Sequence, residues 1–222
     1  MIRRKYILVL LIILFSTHST QLFSDNISFS GDSMQAELAS GRERTILTGN
    51  AYLETEDTII YADRIELYGE DFIFALCTGN VLVINSEKQM EITCDWLFYD
   101  REDDLFRIQG NAVLVDMENE IVIKGGLIEN RNEEDITIVQ VGVRILKEDM
   151  ICRAQMARYF RDEQKLELYG MPIVIWEDDE YKATRIYIDL ESDEIQLEGD
   201  VSAQVEYEED EENVENEEDT AE

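Results

Sequence analysis

The 222-residue sequence has little histidine, proline or positive charge, and each shortage excludes something. Its one histidine, His18, lies in an N-terminal segment that we expect to be removed, so catalytic triads and zinc sites that need imidazole are excluded from the mature chain. Lys and Arg number 19 against 51 Asp and Glu, a net charge of −32. Nucleic-acid binding is excluded because it depends on cationic side chains that neutralise phosphates. The one proline, Pro172, is expected on an edge strand or at a bulge.

Cysteine is also sparse. The three cysteines, Cys77, Cys94 and Cys152, are odd in number and lie in apolar, strand-like segments. We therefore expect small core residues rather than a disulfide framework. The sequence contains neither a Gly-x-x-x-x-Gly-Lys-Ser/Thr phosphate loop nor an Asp-x-Asp-x-Asp-Gly calcium loop. We predict no cofactor and no metal site.

The N-terminus has the layout of an export signal. Arg3, Arg4 and Lys5 precede an apolar run of 10 residues, Tyr6 to Phe15. A helix needs about 20 residues to cross a bilayer, so this run matches the apolar core of a signal peptide. We predict a signal peptide over residues 1–24, cleaved near Ser19 or Ser24, and a periplasmic mature protein. The alternative is an uncleaved anchor in the inner membrane.

The C-terminal segment, residues 206–222, holds 11 acidic residues and no basic one. A like-charge run of this kind buries too little apolar surface to fold, so we predict a disordered acidic tail. Residues 1–24 carry three positive charges, so residues 25–205 alone carry a net charge of −24. The folded domain, predicted over residues 25–205, is therefore acidic as well.

A glycine recurs about every 30 residues between apolar segments. The glycines are Gly49, Gly79, Gly110, Gly142, Gly170 and Gly199, with spacings of 30, 31, 32, 28 and 29. Residues 90–110 and 150–170 align without gaps and share a tyrosine, Tyr99 with Tyr159, and an arginine, Arg101 with Arg161. Such self-similarity is typical of a repeat architecture.

Within each unit the apolar residues recur with a period of two. In the segment from Met90 to Asp100, apolar residues at 90, 92, 94, 96 and 98 predict a half-buried strand with one apolar face. We expect each landmark glycine to end one strand and begin the next, with about three strands of some ten residues per unit. A closed barrel, a two-sheet roll and a stacked solenoid all suit this pattern. We favour an all-β, open, twisted β-jelly roll of about sixteen antiparallel strands, whose unpaired edges favour self-association.

The apolar interior of such a roll is either a packed core or a slot for a lipid. The predicted lipid-binding lining consists of alternating apolar residues: Tyr52, Ile60, Val81, Val83, Ile92, Cys94, Trp96, Phe98, Val113, Val115, Ile121 and Ile123. Each of these has a role in the core as its alternative, Trp96 most of all. Asp63 and Asp95 occupy matching places in two units, and we predict a role in turns or register rather than in acid–base chemistry.

Two motifs carry a resemblance to a known family. Ala62-Asp63 is followed by Gly79-Asn80-Val81, and Cys94-Asp95 is followed by Gly110-Asn111-Ala112. This pattern, over about residues 27–205, resembles the OstA-like domain of the LptA/OstA-like family of lipopolysaccharide-transport proteins. The resemblance implies an open β-jelly roll that stacks edge to edge, carries the acyl chains of lipopolysaccharide through the periplasm and has no catalytic residues. The later units depart from the pattern: Gly125-Gly126 replaces the Asp motif, Gly142 lacks the following Asn, and Gly170 precedes Met171-Pro172.

The resemblance also implies partners: lipopolysaccharide or another glycolipid, the inner- and outer-membrane transport components, and further copies of the chain. If the N-terminal segment is retained, the chain instead resembles the membrane-anchored LptC-type relative. A structural β-repeat protein of the envelope, with a dry core, is a further alternative. A glycosidase that works with carboxylates alone has no support in the sequence.

Overall fold

The computed structural model describes residues 27–37, 39 and 43–205, which form one antiparallel β-sheet of sixteen strands. The strands are β1 (Ser28–Ser30), β2 (Ser33–Glu37), β3 (Arg44–Glu54), β4 (Thr58–Tyr68), β5 (Phe74–Asn85), β6 (Met90–Asp100), β7 (Leu105–Asp116), β8 (Ile121–Arg131), β9 (Ile136–Lys147), β10 (Met150–Phe160), β11 (Lys165–Tyr169), β12 (Ile173–Trp176), β13 (Asp179–Lys182), β14 (Arg185–Asp189), β15 (Glu194–Glu198) and β16 (Ser202–Gln204). Two short 3₁₀ turns, Glu70–Phe72 and Asn132–Glu134, connect neighbouring strands. The predicted all-β fold, an open roll of antiparallel strands, is confirmed. The predicted signal peptide and acidic tail lie outside the described residues.

The sheet divides into two layers. β10 pairs through its first half with β12 and through its second half with β11. Beyond β10, one layer therefore continues as β12, β13 and β16, and the other as β11, β14 and β15. At the other end, β3 pairs with β1 and β2 in the same divided way. We call the half of the sheet that contains β1, β12, β13 and β16 layer one, and the half that contains β2, β11, β14 and β15 layer two.

Each long strand passes from one layer to the other at a β-bulge, which we call a corner. On β3, Gly49 and Asn50 have positive φ angles of 74° and 44°, and together they oppose the single residue Asp63 of β4. Glycine adopts this left-handed conformation without steric cost, and asparagine adopts it more readily than most residues. The first four landmark glycines, up to Gly142, therefore lie inside strands, whereas Gly170 and Gly199 each lie between two strands, as predicted.

The prediction of three strands of about ten residues per unit is therefore wrong. A unit holds two strands of 11 or 12 residues, such as β5 and β6. The total of sixteen arises because the strands at both ends of the sheet are divided at their corners, as β11 and β12 are around Pro172.

The repeated Asp and Asn residues pair with each other across these corners. Asn80 donates a hydrogen bond from Nδ2 to Oδ2 of Asp63 over 2.9 Å, and Asn111 donates to Asp95 over 2.8 Å. Asn50 makes the same bond to Asp32. Of the two predicted roles of Asp63 and Asp95, in a turn or in register, the structure supports register, because both residues lie inside strands and bond across the bulges.

The corner also changes which residues face inward. On β6, Cys94 and Leu97 are buried, whereas Asp95 and Trp96 between them both face outward. The period-two alternation therefore changes phase at Asp95. The prediction that one apolar face of β6 continues through Trp96 and Phe98 is wrong.

Two glycine substitutions test the corner. A Cβ at Gly79 would lie 2.4 Å from Oδ2 of Asp63, whereas a Cβ at Gly142 meets nothing within 4 Å; both residues have positive φ. Gly142→Ala should lower the free energy of unfolding by roughly 1–2 kcal/mol, because alanine is strained in the left-handed backbone conformation. Gly79→Ala should lower the free energy of unfolding by roughly 2–5 kcal/mol, because the added methyl group also displaces Asp63 from Asn80. Urea denaturation measures both costs, and equal losses would contradict the close approach at Gly79.

Candidate functional site

The interior between the two layers is the candidate functional site. It is lined by apolar side chains of both layers, for example Leu53 and Ile60 in layer one and Leu67 and Ile108 in layer two, all 0% exposed. These residues belong to a single apolar core that extends from β3 to β14. Such a lining can hold alkyl chains.

Seven of the twelve predicted lining residues face this interior. They are Ile60, Val81, Val83, Ile92, Cys94, Ile121 and Ile123, and all of them belong to layer one. Layer two contributes buried residues that the sequence pattern missed, such as Ile65, Leu97 and Ile128. They were missed because the pattern was extended through the corners without a change of phase. Lipid contact by the lining residues stays a prediction.

The other five predicted residues lie on outer faces of the sheet. Tyr52, Val113 and Val115 face outward from layer one, and Trp96 and Phe98 face outward from layer two. Their neighbours are other surface side chains: the Phe98 ring stacks on Phe74 with 5.8 Å between centroids. The structure does not bring these five together with the other seven.

Opposite the corners, two rows of turns meet along a line that we call the seam. One row follows β3, β5, β7 and β9, and the other follows β4, β6, β8 and β10. Arg161, in the turn after β10, donates from Nε to Oδ2 of Asp116 over 3.0 Å and from Nη2 to the Lys88 carbonyl over 2.9 Å. It also pairs with Glu118. The Asp116 side chain is 0% exposed, and it accepts a further bond from the hydroxyl of Tyr159.

Two more contacts cross the seam. Lys88, after β5, pairs with Asp135, after β8. The hydroxyl of Tyr99, near the end of β6, bonds to Thr58 at the start of β4. Burial raises the pKa of Tyr99 and, together with the charge of Asp116, the pKa of Tyr159, so both hydroxyls stay protonated. The seam is thus a polar closure over an apolar interior.

One signal in the sequence points to the seam, although no function is evident from it. The gap-free alignment of two units matched Tyr99 with Tyr159 and Arg101 with Arg161. Both tyrosines reach across the seam, whereas Arg101 bonds within its own row of turns, to the carbonyls of Asp71 and Phe72.

The interior reaches the two open ends of the sheet. At the first end, the rings of Phe29 and Phe72 meet edge to face with 5.8 Å between centroids. At the other end, Trp176, Tyr181, Ile195 and Leu197 are partly buried against the core. The terminal strands β1, β2, β15 and β16 each pair with a neighbour on one side only. Both ends therefore present unpaired backbone next to half-buried apolar side chains.

All three cysteines are free thiols in the interior, as predicted for core residues. Burial raises the pKa of Cys94 and of Cys152 to about 12, and it raises the pKa of Cys77 as well. The thiols are therefore protonated near neutral pH, and the thiolate is the reactive form.

A cleft of about 510 Å³ is formed in layer two by the end of β10 and by β11, β14 and β15. Its lining mixes the aromatic residues Phe160 and Tyr187 with charged residues such as Lys165, Asp189 and Glu194.

Within residues 27–37, 39 and 43–205, no group of three or more His, Cys, Asp or Glu side chains is placed to hold a metal ion. The same residues include no helix long and apolar enough to span a membrane.

Comparisons with known proteins give a likeness of structure. No family model matches the chain, and no curated protein matches it. Among solved structures, the chain is similar to LptH of Pseudomonas aeruginosa, the LptA homologous periplasmic component of the lipopolysaccharide transport device. The identity is 9% and the TM-score 0.26, with 82% of this chain and 96% of that chain covered. The function therefore has to be argued from the geometry of this chain.

The seam provides a test of stability. Arg161→Met removes the cation that pairs with the buried carboxylate of Asp116. Loss of one partner of a buried ion pair typically lowers the free energy of unfolding by about 3–5 kcal/mol, and we expect a loss of this size. Arg107→Met is the matched control, since Arg107 is 51% exposed in its pair with Glu129 and should cost about 1 kcal/mol or less. Thermal and urea unfolding measure both variants. A loss at Arg161 no larger than at Arg107 would show that the seam contact does not hold the layers together.

The cysteines provide a second test. Because their pKa values are raised by burial, the native protein at pH 8 should react with Ellman's reagent only after unfolding, when all three thiols become available. The measurement follows thiol release with and without urea. Rapid labelling of the folded chain would mean that the interior opens easily to water.

Proposed function

We propose that this chain is a non-catalytic, periplasmic lipid-binding bridge that carries lipopolysaccharide or a related glycolipid toward the outer membrane. The observation that carries the proposal is the apolar interior, which runs along the sheet between two open ends. In order along the sheet there are twelve strand positions, which at about 4.8 Å each give an interior roughly 50 Å long. A slot of that length has room for acyl chains along its axis.

Apolar burial alone supplies enough affinity for such a cargo. Each buried CH₂ contributes about 0.8 kcal/mol, so half-burying a chain of a dozen carbons contributes roughly 5 kcal/mol. Affinity of this size suits a hand-over between carriers, whereas complete burial of several chains would hold the lipid too tightly. The net charge of −32 is compatible with a phosphorylated lipid when the head group stays in solvent.

The sheet edges favour assembly through strand pairing. Self-association of the first end of one copy with the last end of another would pair β1 and β2 with β15 and β16, and it would join the two apolar interiors. In this proposal the inner- and outer-membrane transport components take the same edges at the two ends of the assembly. The membrane-anchored LptC-like alternative differs in the fate of residues 1–24.

A structural β-repeat protein with a dry core is the second candidate. The observation that favours it is the complete burial of interior side chains such as Leu114 and Ile123, both 0% exposed. Lipid must displace contacts between the layers before it can enter, either from an end or through the seam. The two functions therefore differ in whether an acyl chain reaches the interior.

The two tryptophans distinguish these functions. Trp176 packs against the core at the last end of the interior, whereas Trp96 faces outward from layer two. In Trp96→Phe the emission comes from Trp176 alone, and in Trp176→Phe it comes from Trp96 alone, because the chain has only two tryptophans. A fatty acid brominated along its chain should quench Trp176 several times more strongly than Trp96.

Quenching is measured by titration of the folded variants below the aggregation concentration of the fatty acid. Equal quenching of both tryptophans would place the lipid on the surface. Quenching of neither would favour the structural β-repeat protein.

A further inference from the structure

Three cations lie side by side on the outer face of layer one. Lys124 of β8 is the register partner of Arg144 of β9, and Arg144 is the register partner of Arg153 of β10. All three side chains are exposed. We call these three residues the cationic row. Side chains directly opposite each other on neighbouring strands are about 4.5–5.5 Å apart at Cβ, and like charges so placed are destabilising.

The cationic row has no anionic partner among the described residues, and this sets it apart from the arginines of layer two. On the outer face of layer two, Arg44 pairs with Glu66, and Arg107 pairs with Glu129 across neighbouring strands. Arg158 and Arg185 are paired with glutamates in the same way. None of the hydrogen bonds or ion pairs formed within residues 27–37, 39 and 43–205 involves a side chain of the cationic row.

The positions around the row are neutral, although the chain has 51 acidic residues. Val113 and Ile173 are the register partners that flank the row on β7 and β12. Two residues before and after each cation, on the same face of its own strand, stand Val122, Gly126, Gly142, Leu146, Ile151 and Gln155. The row is therefore a patch free of carboxylates on an otherwise acidic protein.

This patch coincides with the departure from the repeat. At the corners of β4 and β6 the residues opposite the bulge are Asp63 and Asp95, but at the corner of β8 the residue is Gly126. The position of Lys124 is occupied by Tyr61 and Thr93 in the preceding units. The fourth unit thus gains cations and loses the acid at the same place.

An apolar row lies beside the cations, toward the seam. Val122 and Leu146 are register partners, as are Leu146 and Ile151, and Ile151 and Ile175. These four residues are partly exposed, Ile151 to 36%. A ligand that covers both rows has an anionic group next to an apolar chain.

We propose that the cationic row binds the phosphate group of an anionic amphiphile, whose chain lies on the apolar row. Phosphate oxygens accept charge-assisted hydrogen bonds from guanidinium and ammonium groups, and arginine suits them especially well. The site is on the outer face of layer one, so it is separate from the interior. It goes beyond the proposed function by adding a contact for a lipid phosphate.

The chain's own acidic segment, residues 206–222, is the competing occupant. It begins just beyond β16, which belongs to layer one, and 17 extended residues reach far enough to cover the row. The segment holds 11 acidic residues but only Tyr207, Val214 and Ala221 as apolar ones, so it would leave the apolar row uncovered. The apolar row therefore favours the amphiphile.

The test is a calorimetric titration of the full chain with monomeric dihexanoyl phosphatidic acid at low salt. The row variant is Lys124→Gln/Arg144→Gln/Arg153→Gln. The control is Arg44→Gln/Arg107→Gln/Arg185→Gln on layer two, which changes the net charge equally. The row variant should weaken binding by about tenfold or more, because it removes charge-assisted bonds. The control should weaken it by about twofold or less, through long-range charge alone.

Two further ligands identify the source of the phosphate. Dihexanoyl phosphatidylcholine has the same chains but no net charge, and inorganic phosphate has no chain; both should bind more weakly than the phosphatidic acid. Ile151→Asn should weaken phosphatidic acid but not inorganic phosphate. The row variant should fold normally, since its side chains have no partners to lose, and its melting temperature checks this.

Several results would overturn the proposal. Equal losses in the row variant and the control would mean that only overall charge matters. Inorganic phosphate binding as tightly as phosphatidic acid would exclude the amphiphile. Binding that appears only after residues 206–222 are removed would assign the row to that segment. A fatty acid on the apolar row would also lie near Trp176, which follows Ile175 on β12. The quenching titration is therefore repeated in the row variant. Quenching of Trp176 that persists there reports on the interior alone, so the two proposals fail separately.

Discussion

The left-handed pair of residues at each corner is the constraint on which the rest of the structure depends. At Gly79 and Asn80 the φ angles are 76° and 46°, and the two residues oppose the single Asp63 on the neighbouring strand. One extra residue on every second strand bends the whole ladder along one line, because the bulges lie next to each other from β3 to β9. The bend gives a single sheet two facing halves.

Facing halves allow one sheet to enclose an apolar interior without joining its first and last strands. The corners close one side of that interior, and the polar contacts of Arg161 and Lys88 close the other. The two ends remain unpaired, which is where a further strand or a ligand has access to the core. The two outer faces then differ, since layer two is covered by paired arginines and glutamates, whereas part of layer one combines free cations with apolar residues.

The sequence predicts the parts of this fold that repeat locally. The glycine spacing located the corners, and the recurrence of Asp63 and Asp95 at matching places indicated a role in register there. The inward-facing residues could be predicted only in part. On β6 the alternation of buried and exposed residues changes phase at Asp95, while Trp96 and Phe98 on the outer face are also apolar. The seam could not be predicted, since Arg161 and Asp116 are 45 residues apart and meet only because of how far the sheet twists.

The seam joins residues that are far apart in the sequence, and this also affects how the chain unfolds. In most repeat proteins each unit contacts only its neighbours, so the stability of the array is a sum of local terms and the ends unravel first. Here Arg161, after β10, bonds to the carbonyl of Lys88, 73 residues earlier, and to Asp116 between them. Peeling away the last strands therefore breaks contacts in the middle of the sheet. The units are therefore not independent, and we expect the roll to unfold as one cooperative body although its sequence is modular.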